Sequence, residues 1–306
     1  AADVTAQWEP ALQAVLKKRR IAAENVLVLQ YEEEQRELFF TARMTNGRCM
    51  TARDAAELVG RAMKGTWSPS KDGKTIITRN AAAFRFIEDG RYRMLFGSSR
   101  VPRSGEEISG DSYTLKNRLP GQAIMSLSDG MGSGRIANED SEKVIELSEQ
   151  LLETGFSARA ALKLVNTVLL LTGHHERPAT LDLCMVDLYS GVVEMMKLGA
   201  AASFVMGDES VDILAADHVP AGVLNPVEPV LLSRKLWDGD KIVMVSDGVL
   251  DAMPGEEKEE AFQDFLAGLP EAGPQETAEM VMAYALALEP EPRDDMTVLV
   301  GGIYGR

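Results

Sequence analysis

Two apolar runs in this chain close on the same tripeptide. Residues 124–130 read Ile-Met-Ser-Leu-Ser-Asp-Gly, and residues 242–248 read Ile-Val-Met-Val-Ser-Asp-Gly. Each is a short apolar stretch bounded by turn residues, the pattern of a buried strand. An aspartate at a strand end is carried by a rigid sheet edge yet points into a loop region, and the glycine after it exposes its own carbonyl as another oxygen donor. A third acidic pair, Asp294-Asp295, precedes the strand-like run from Met296, and Asp111 follows Gly110 before another. Asp-Gly after a single strand is ordinarily a turn. Its repetition, with an acidic pair in a third place, points to carboxylates converging at one sheet edge. A donor set of oxygens alone, without nearby His or Cys, suits Mg²⁺ or Mn²⁺ better than zinc or copper.

The surrounding pattern predicts an α+β fold. After the glycine loop that follows Asp129, a helix is expected over 136–152 with Val144, Ile145, Leu151 and Leu152 inward. Ser157 caps a second helix that stops at Gly173. Strands are expected at 181–188, 192–198, 203–206, 211–214, 241–245 and 296–303, with helices at 257–267 and 275–288. Paired helices between groups of strands argue for a β-sandwich with helices on its outer faces, not a parallel doubly wound sheet.

Upstream, residues 4–37 place Trp8, Leu12, Val15, Leu16, Val26 and Leu29 on a rough helical stripe without internal glycine. That pattern predicts one long N-terminal helix, read as a scaffold or dimer-forming element. Residues 38–44 alternate like a strand, Asn46-Gly47 supplies a turn, and Thr51 can cap a helix over 52–63. A hairpin is expected from 84–87 and 92–96 around Asp89-Gly90. The chain therefore divides into a regulatory or oligomerisation segment, 1–99, and a catalytic domain, 100–306, with a homodimer expected.

Composition excludes several functions. With 47 acidic and 32 basic side chains, the net charge is -15. A broad nucleic-acid face needs clustered Lys and Arg, so no nucleic-acid partner is expected. Cys49 and Cys184 form neither a disulfide framework nor a CxxC site. No run reaches the ~18 apolar residues of a membrane span, and the fragment reads as cytoplasmic. The glycines at 130, 132 and 134 match neither nucleotide fingerprint, and His174-His175 lacks the spacing of zinc ligands.

The series Ile108-Ser109-Gly110-Asp111-Ser112-Tyr113, Ser128-Asp129-Gly130-Met131-Gly132-Ser133-Gly134, Thr180-Leu181-Asp182-Leu183, Ser246-Asp247-Gly248 and Asp294-Asp295-Met296-Thr297-Val298 resembles the phosphatase domain of the stage II sporulation protein E family. That family lies within the PPM-type metal-dependent serine/threonine phosphatases. The resemblance spans about residues 100–304 and implies a β-sandwich flanked by helix pairs with a centre of two divalent cations, Mn²⁺ or Mg²⁺. It implies Asp129, Asp247 and Asp294 as catalytic carboxylates, within a ligand set of Asp111, Asp129, Gly130, Asp247, Asp294 and Asp295. Asp129 would bridge the cations, Gly130 would ligate through its carbonyl, and Asp111 would act through bound water or an accessory ion. The implied substrate is a phosphorylated anti-anti-sigma factor, whose dephosphorylation activates a sporulation sigma factor. A membrane-spanning region upstream of Ala1 is implied as well. The phosphate-gripping Arg of eukaryotic-type members has no clear equivalent, leaving Arg103 and Arg135 as candidates. Two rivals stand beside this reading: a catalytically silent partner-binding module, and a metal-dependent phosphatase for small phosphoesters.

Overall fold

The structure is a computed structural model that describes residues 1–31, 35–118, 121–171, 178–215, 220–223 and 229–306. Its packing forms two units, one of Ala1–Arg91 and one of Tyr92–Arg118 with Gln122–Arg306. In chain order the first unit contains β1 (Ala2–Asp3), α1 (Thr5–Lys18), β2 (Ile21–Gln30), β3 (Arg36–Met44), β4 (Met50–Thr51), α2 (Ala52–Met63), β5 (Trp67–Pro69), β6 (Ile76–Ile77) and β7 (Ala82–Glu88). Five strands pair in the order β1-β2-β3-β7-β5. Leu12 and Leu16 of α1 and Ala55 and Val59 of α2 are buried in one cluster with Val28, Leu38, Phe40 and Phe86 of the sheet. Thr51 starts α2 as its sequence position predicts, its Oγ1 accepting the Asp54 amide at 3.1 Å.

Two N-terminal expectations fail. The long helix stops at Lys18, and Arg20, at φ 61°, turns the chain into β2. The consecutive apolar residues from Val26 to Leu29 lie in that strand, where pairing with β3 satisfies the backbone while Ile21, Ala23 and Val28 are buried. A bulge between Glu24 and Leu27, with Asn25 at φ 53°, shifts the strand's phase and hides its alternation. The expected hairpin around Asp89-Gly90 is absent as well. β7 pairs with β3 and β5, whereas the next strand turns to the C-terminal end of the chain.

The second unit contains β8 (Tyr92–Val101), β9 (Asp111–Arg118), β10 (Gln122–Asp129), α3 (Gly134–Glu153), α4 (Ala158–Leu171), β11 (Leu181–Asp187), β12 (Val192–Leu198), β13 (Ser203–Met206), β14 (Val211–Leu214), β15 (Val230–Lys235), β16 (Lys241–Val245), α5 (Asp247–Asp251), α6 (Lys258–Ala267), α7 (Pro274–Leu288) and β17 (Met296–Gly305). β8 lies here because it pairs along its whole length with β17. Two five-stranded antiparallel sheets result, ordered β15-β12-β11-β10-β9 and β14-β13-β16-β17-β8.

Strand alternation assigns each face its partner. Ala123, Met125 and Leu127 of β10 join Ile242 and Met244 of β16 and Leu299 and Ile303 of β17 in one core, the inside of the sandwich. The alternate residues face outward. Ile124, Leu181 and Leu183 pack with Val144, Ile145, Leu162 and Val165 of α3 and α4. On the other sheet Val243, Val245, Val298 and Val300 pack with α5, α6 and α7 through Val249, Phe262 and Val281. Each fully buried aliphatic side chain contributes roughly 1.5–3 kcal/mol before entropy is counted. The expected helix-flanked β-sandwich is therefore the observed fold. Ser157 Oγ accepts the Ala160 amide at 3.3 Å, capping α4, and the expected stop at Gly173 lies outside the described residues. Among the described residues no helix is long and apolar enough to cross a membrane.

Candidate metal centre

The folding of β9 and β10 brings the first two candidate aspartates together. Their antiparallel register sets Asp111, the first residue of β9, opposite Asp129, the last of β10. From the other sheet, β16 ends at Val245, Ser246 caps α5, and Asp247 lies in its first turn. Ser246 is paired with Thr297 of β17 in both directions. Its amide donates to the Thr297 carbonyl at 3.0 Å, and its Oγ accepts the Thr297 amide at 2.8 Å. Thr297 Oγ1 then reaches across the sandwich and donates to Asp111 Oδ2 at 2.6 Å. One hydroxyl thus ties the aspartate edge of one sheet to that of the other.

Two glycines permit the close approaches. A Cβ on Gly130 would stand 2.1 Å from the Ala137 carbonyl oxygen of α3, so only glycine lets the chain turn under that helix. A Cβ on Gly248 would stand 2.3 Å from the Asp295 carbonyl oxygen and 3.3 Å from Asp294 Cβ, and its absence seats α5 against the acidic pair. Beyond Asp129, Thr180 fixes the strand end. Its Oγ1 accepts the Asp129 amide at 2.9 Å, its carbonyl accepts Ser128 Oγ at 2.7 Å, and its amide donates to the Asp129 carbonyl at 2.9 Å. Asp129, Thr180, Ala201, Ser246 and Asp247 line a narrow cleft at this edge.

Asp111 is buried, Asp129 and Asp294 are half-buried, and Asp247 stands at the open lip. Burial pushes the Asp111 carboxyl up to about 7. Asp129 is pushed up to about 9, first by desolvation and then by the charges of Asp111, Asp247 and Asp294. Asp247 is raised as well, by desolvation against the sheet edge and by Asp294, while the Gly248 amide opposes the shift. Asp129 lies within hydrogen-bonding reach of both Asp111 and Asp247. These carboxyls share protons where they would otherwise repel one another.

Asp295 plays a different part. Both of its oxygens are engaged by main-chain amides, Oδ1 by Arg103 at 2.9 Å and Oδ2 by Gly110 at 2.8 Å. Its carboxylate clasps the loop that leads into Asp111, a role its place beside Asp294 does not announce. Of the two arginine candidates for phosphate, Arg135 pairs with Glu139 one turn on at 3.4 Å, and Arg103 enters through its main-chain amide. His174 and His175 lie outside the described residues.

Among the described residues, no three acidic, His or Cys side chains are already spaced as a finished cation cage. The set nevertheless fits hard divalent cations on its own chemistry. Every donor is oxygen, four carboxyls from two sheets crowd one edge, and Asp111 Oδ1 is buried without a hydrogen-bond partner. A cation would replace the shared protons and satisfy that orphaned oxygen.

Two antiparallel sheets between helix layers, with aspartates at one shared edge, make up the PP2C-type (PPM) phosphatase fold. The structure superposes with TM-score 0.73 on that of the PP2C phosphatase domain and a fragment of the regulatory domain of the cell fate determinant SpoIIE from Bacillus subtilis. Identity is 25%, over 98% of this chain and 87% of that one. Residues 120–303 match the family described as stage II sporulation protein E (SpoIIE), and the chain belongs to that family. It is 31% identical to stage II sporulation protein E of Bacillus subtilis (strain 168), over 68% of this chain and 26% of that protein. It is 29% identical to the Priestia megaterium protein of the same name, over 74% of this chain and 41% of that one. The chain thus spans well under half the length of these curated relatives. Two remoter structures share the fold alone. One is the catalytic domain of the serine threonine protein phosphatase PstP in complex with two manganese ions, at 19% identity over 70% of this chain and 99% of that one, with TM-score 0.55. The other is RsbX in complex with magnesium, at 16% identity over 71% and 98%, with TM-score 0.54.

Proposed function

We propose that the chain is a Mn²⁺- or Mg²⁺-dependent protein-serine phosphatase whose substrate is a phosphorylated anti-anti-sigma factor, so that its activity releases a sporulation sigma factor. The observation that carries this reading is the meeting of Asp111 and Asp129 from one sheet with Asp247 and Asp294 from the other around a single cleft. Family membership and the metals held by remoter proteins of the same fold support it.

In this reading Asp129 bridges two cations, the Gly130 carbonyl adds a ligand, Asp247 and Asp294 hold one ion, and Asp111 serves an accessory position. When bound, such a pair supplies an activated water and neutralises charge developing on phosphorus. Thr180 and Thr297 hold Asp129 and Asp111 in place, Asp295 holds the loop before Asp111, and Gly130 and Gly248 let the halves approach. No protein nucleophile is needed, which fits a described site without a Ser-His or Cys-His pairing. Residues 1–99 are assigned a regulatory or oligomerising role, in a cytoplasmic protein that works as a homodimer.

Phosphate release from a phosphoserine-bearing anti-anti-sigma protein, in Mn²⁺ with and without chelator, tests the reading. Release that requires Mn²⁺, is abolished by chelation and is at least about tenfold more efficient on folded phosphoprotein than on its phosphopeptide is expected. Equal efficiency on protein and peptide would favour small phosphoesters, and no release at all would favour a silent binding module.

A further inference from the structure

Behind the cleft lies a charged group that the site description leaves unused. Lys197, near the end of β12, is fully buried, and so is Asp182, its opposite residue on β11. The ammonium contacts Asp182 Oδ2, donates to Ser203 Oγ at 2.7 Å and donates to the Ala201 carbonyl at 2.8 Å. Ser203 Oγ in turn donates to the same Asp182 oxygen at 2.7 Å. All three ammonium hydrogens are thereby assigned.

Burying an ion pair rarely adds stability over an apolar pair of the same volume, because desolvation offsets the attraction. The directional contacts are what distinguish this one. Asp182 belongs to the sheet that carries Asp111 and Asp129, whereas Ser203 begins a strand of the sheet that carries Asp247. Ala201 lies in the segment that crosses between the sheets and lines the cleft beside Asp129 and Asp247. One buried ammonium therefore joins both sheets and the cleft wall.

We infer that Lys197 is a positioning residue which, with Asp182 and Ser203, sets the spacing between the two halves of the aspartate site and hence its affinity for divalent cations. This rests on the cation reading above. Neither Lys197 nor Asp182 touches a cation in it. Both act through the segment at 199–201 and the sheet crossing.

The test is direct Mn²⁺ titration by calorimetry on the full 306-residue chain, without turnover. The double variant Asp182→Leu/Lys197→Met removes both charges together, so no uncompensated ion is left buried. It is expected to keep a metal-free melting temperature within a few degrees of the parent chain while binding Mn²⁺ at least about tenfold more weakly. Ser203→Ala, which keeps the ion pair and deletes the hydroxyl on the second sheet, is expected to weaken binding about threefold and carries the test should the double variant not fold. A folded double variant with Mn²⁺ affinity within twofold of the parent overturns the inference, as does unchanged affinity in Ser203→Ala. Asp129→Asn separates this from failure of the cation reading. If it binds Mn²⁺ as the parent does, the cation reading falls and the inference with it; if it loses binding while the double variant keeps it, only the role of Lys197 falls.

Discussion

The tripeptide Ser-Asp-Gly occurs at both halves of the site and folds differently in each. At 128–130 it ends a strand and leads into a loop, whereas at 246–248 it caps and starts the short helix α5. The serine and the threonine of the neighbouring strand do equivalent work in both. Ser128 donates to the Thr180 carbonyl, while Ser246 accepts the Thr297 amide and donates to the Asp295 carbonyl. The aspartates end in unequal surroundings. Asp129 sits among three other carboxyls with its amide given to Thr180, whereas Asp247 stands at the lip with the Gly248 amide favouring its charge. Identical residues thus supply a shared, proton-holding carboxyl on one sheet and a more readily ionised one on the other.

That inequality can be broken by mutation. The largest effect belongs to the carboxylates: Asp129→Asn should lower phosphate release at saturating Mn²⁺ by at least about a hundredfold, since one transition-state charge contact is typically worth several kcal/mol. Asp247→Asn and Asp294→Asn should lose activity too, but less than Asp129→Asn, because the bridging position serves both ions. Steady-state rates on one phosphoprotein preparation rank them.

The glycines come next. Gly130→Ala and Gly248→Ala each force a methyl group onto a backbone oxygen, at 2.1 Å and 2.3 Å respectively. Each should cost about 1–3 kcal/mol in the unfolding free energy read from urea titrations. Gly130→Ala should also lose turnover, because the carbonyl it displaces is a proposed ligand.

A smaller effect concerns pH in the metal-free protein. Folding raises the carboxyls of Asp111 to about 7 and Asp129 to about 9 from an ordinary value of 3.8. The folded form therefore keeps protons that the unfolded chain releases, so their contribution is full below about 4 and falls as pH rises through 7 and 9. Melting temperature in chelator should decline across that window. Asp129→Asn should flatten the decline more than Asp247→Asn, and saturating Mn²⁺ should flatten it in the parent chain. Smallest of all, Thr180→Val and Thr297→Val each remove one hydrogen-bonding hydroxyl, worth about 1 kcal/mol and a melting shift of roughly 2–4 °C.

Much of the second unit was legible because its strands bury both faces and its helices carry clear 3.6-residue stripes. The residues of α3, α4, α6 and α7 and of strands β11 to β14, β16 and β17 fall close to their expected ranges. β15 escaped notice because Val230–Lys235 is an edge strand with mostly exposed residues and little apolar alternation. The first unit misled where tertiary pairing overrode local pattern: residues after Arg20 had helical composition but found β3 to pair with. Pairing of β8 with β17, nearly two hundred residues away, has no local signal. The strand-end aspartates were legible through repetition. The clasp formed by Asp295 and the burial of Lys197 were not, since one sits beside a better candidate and the other interrupts an apolar strand like any edge lysine.

A crystal of the chain grown with Mn²⁺ and measured at the manganese absorption edge tests the shared site most directly. The account predicts two anomalous peaks about 3.5–4 Å apart, both within bonding distance of Asp129 and one of them also bonded to Asp247 and Asp294. Peaks that leave Asp129 out, or no manganese at this edge at all, would contradict it.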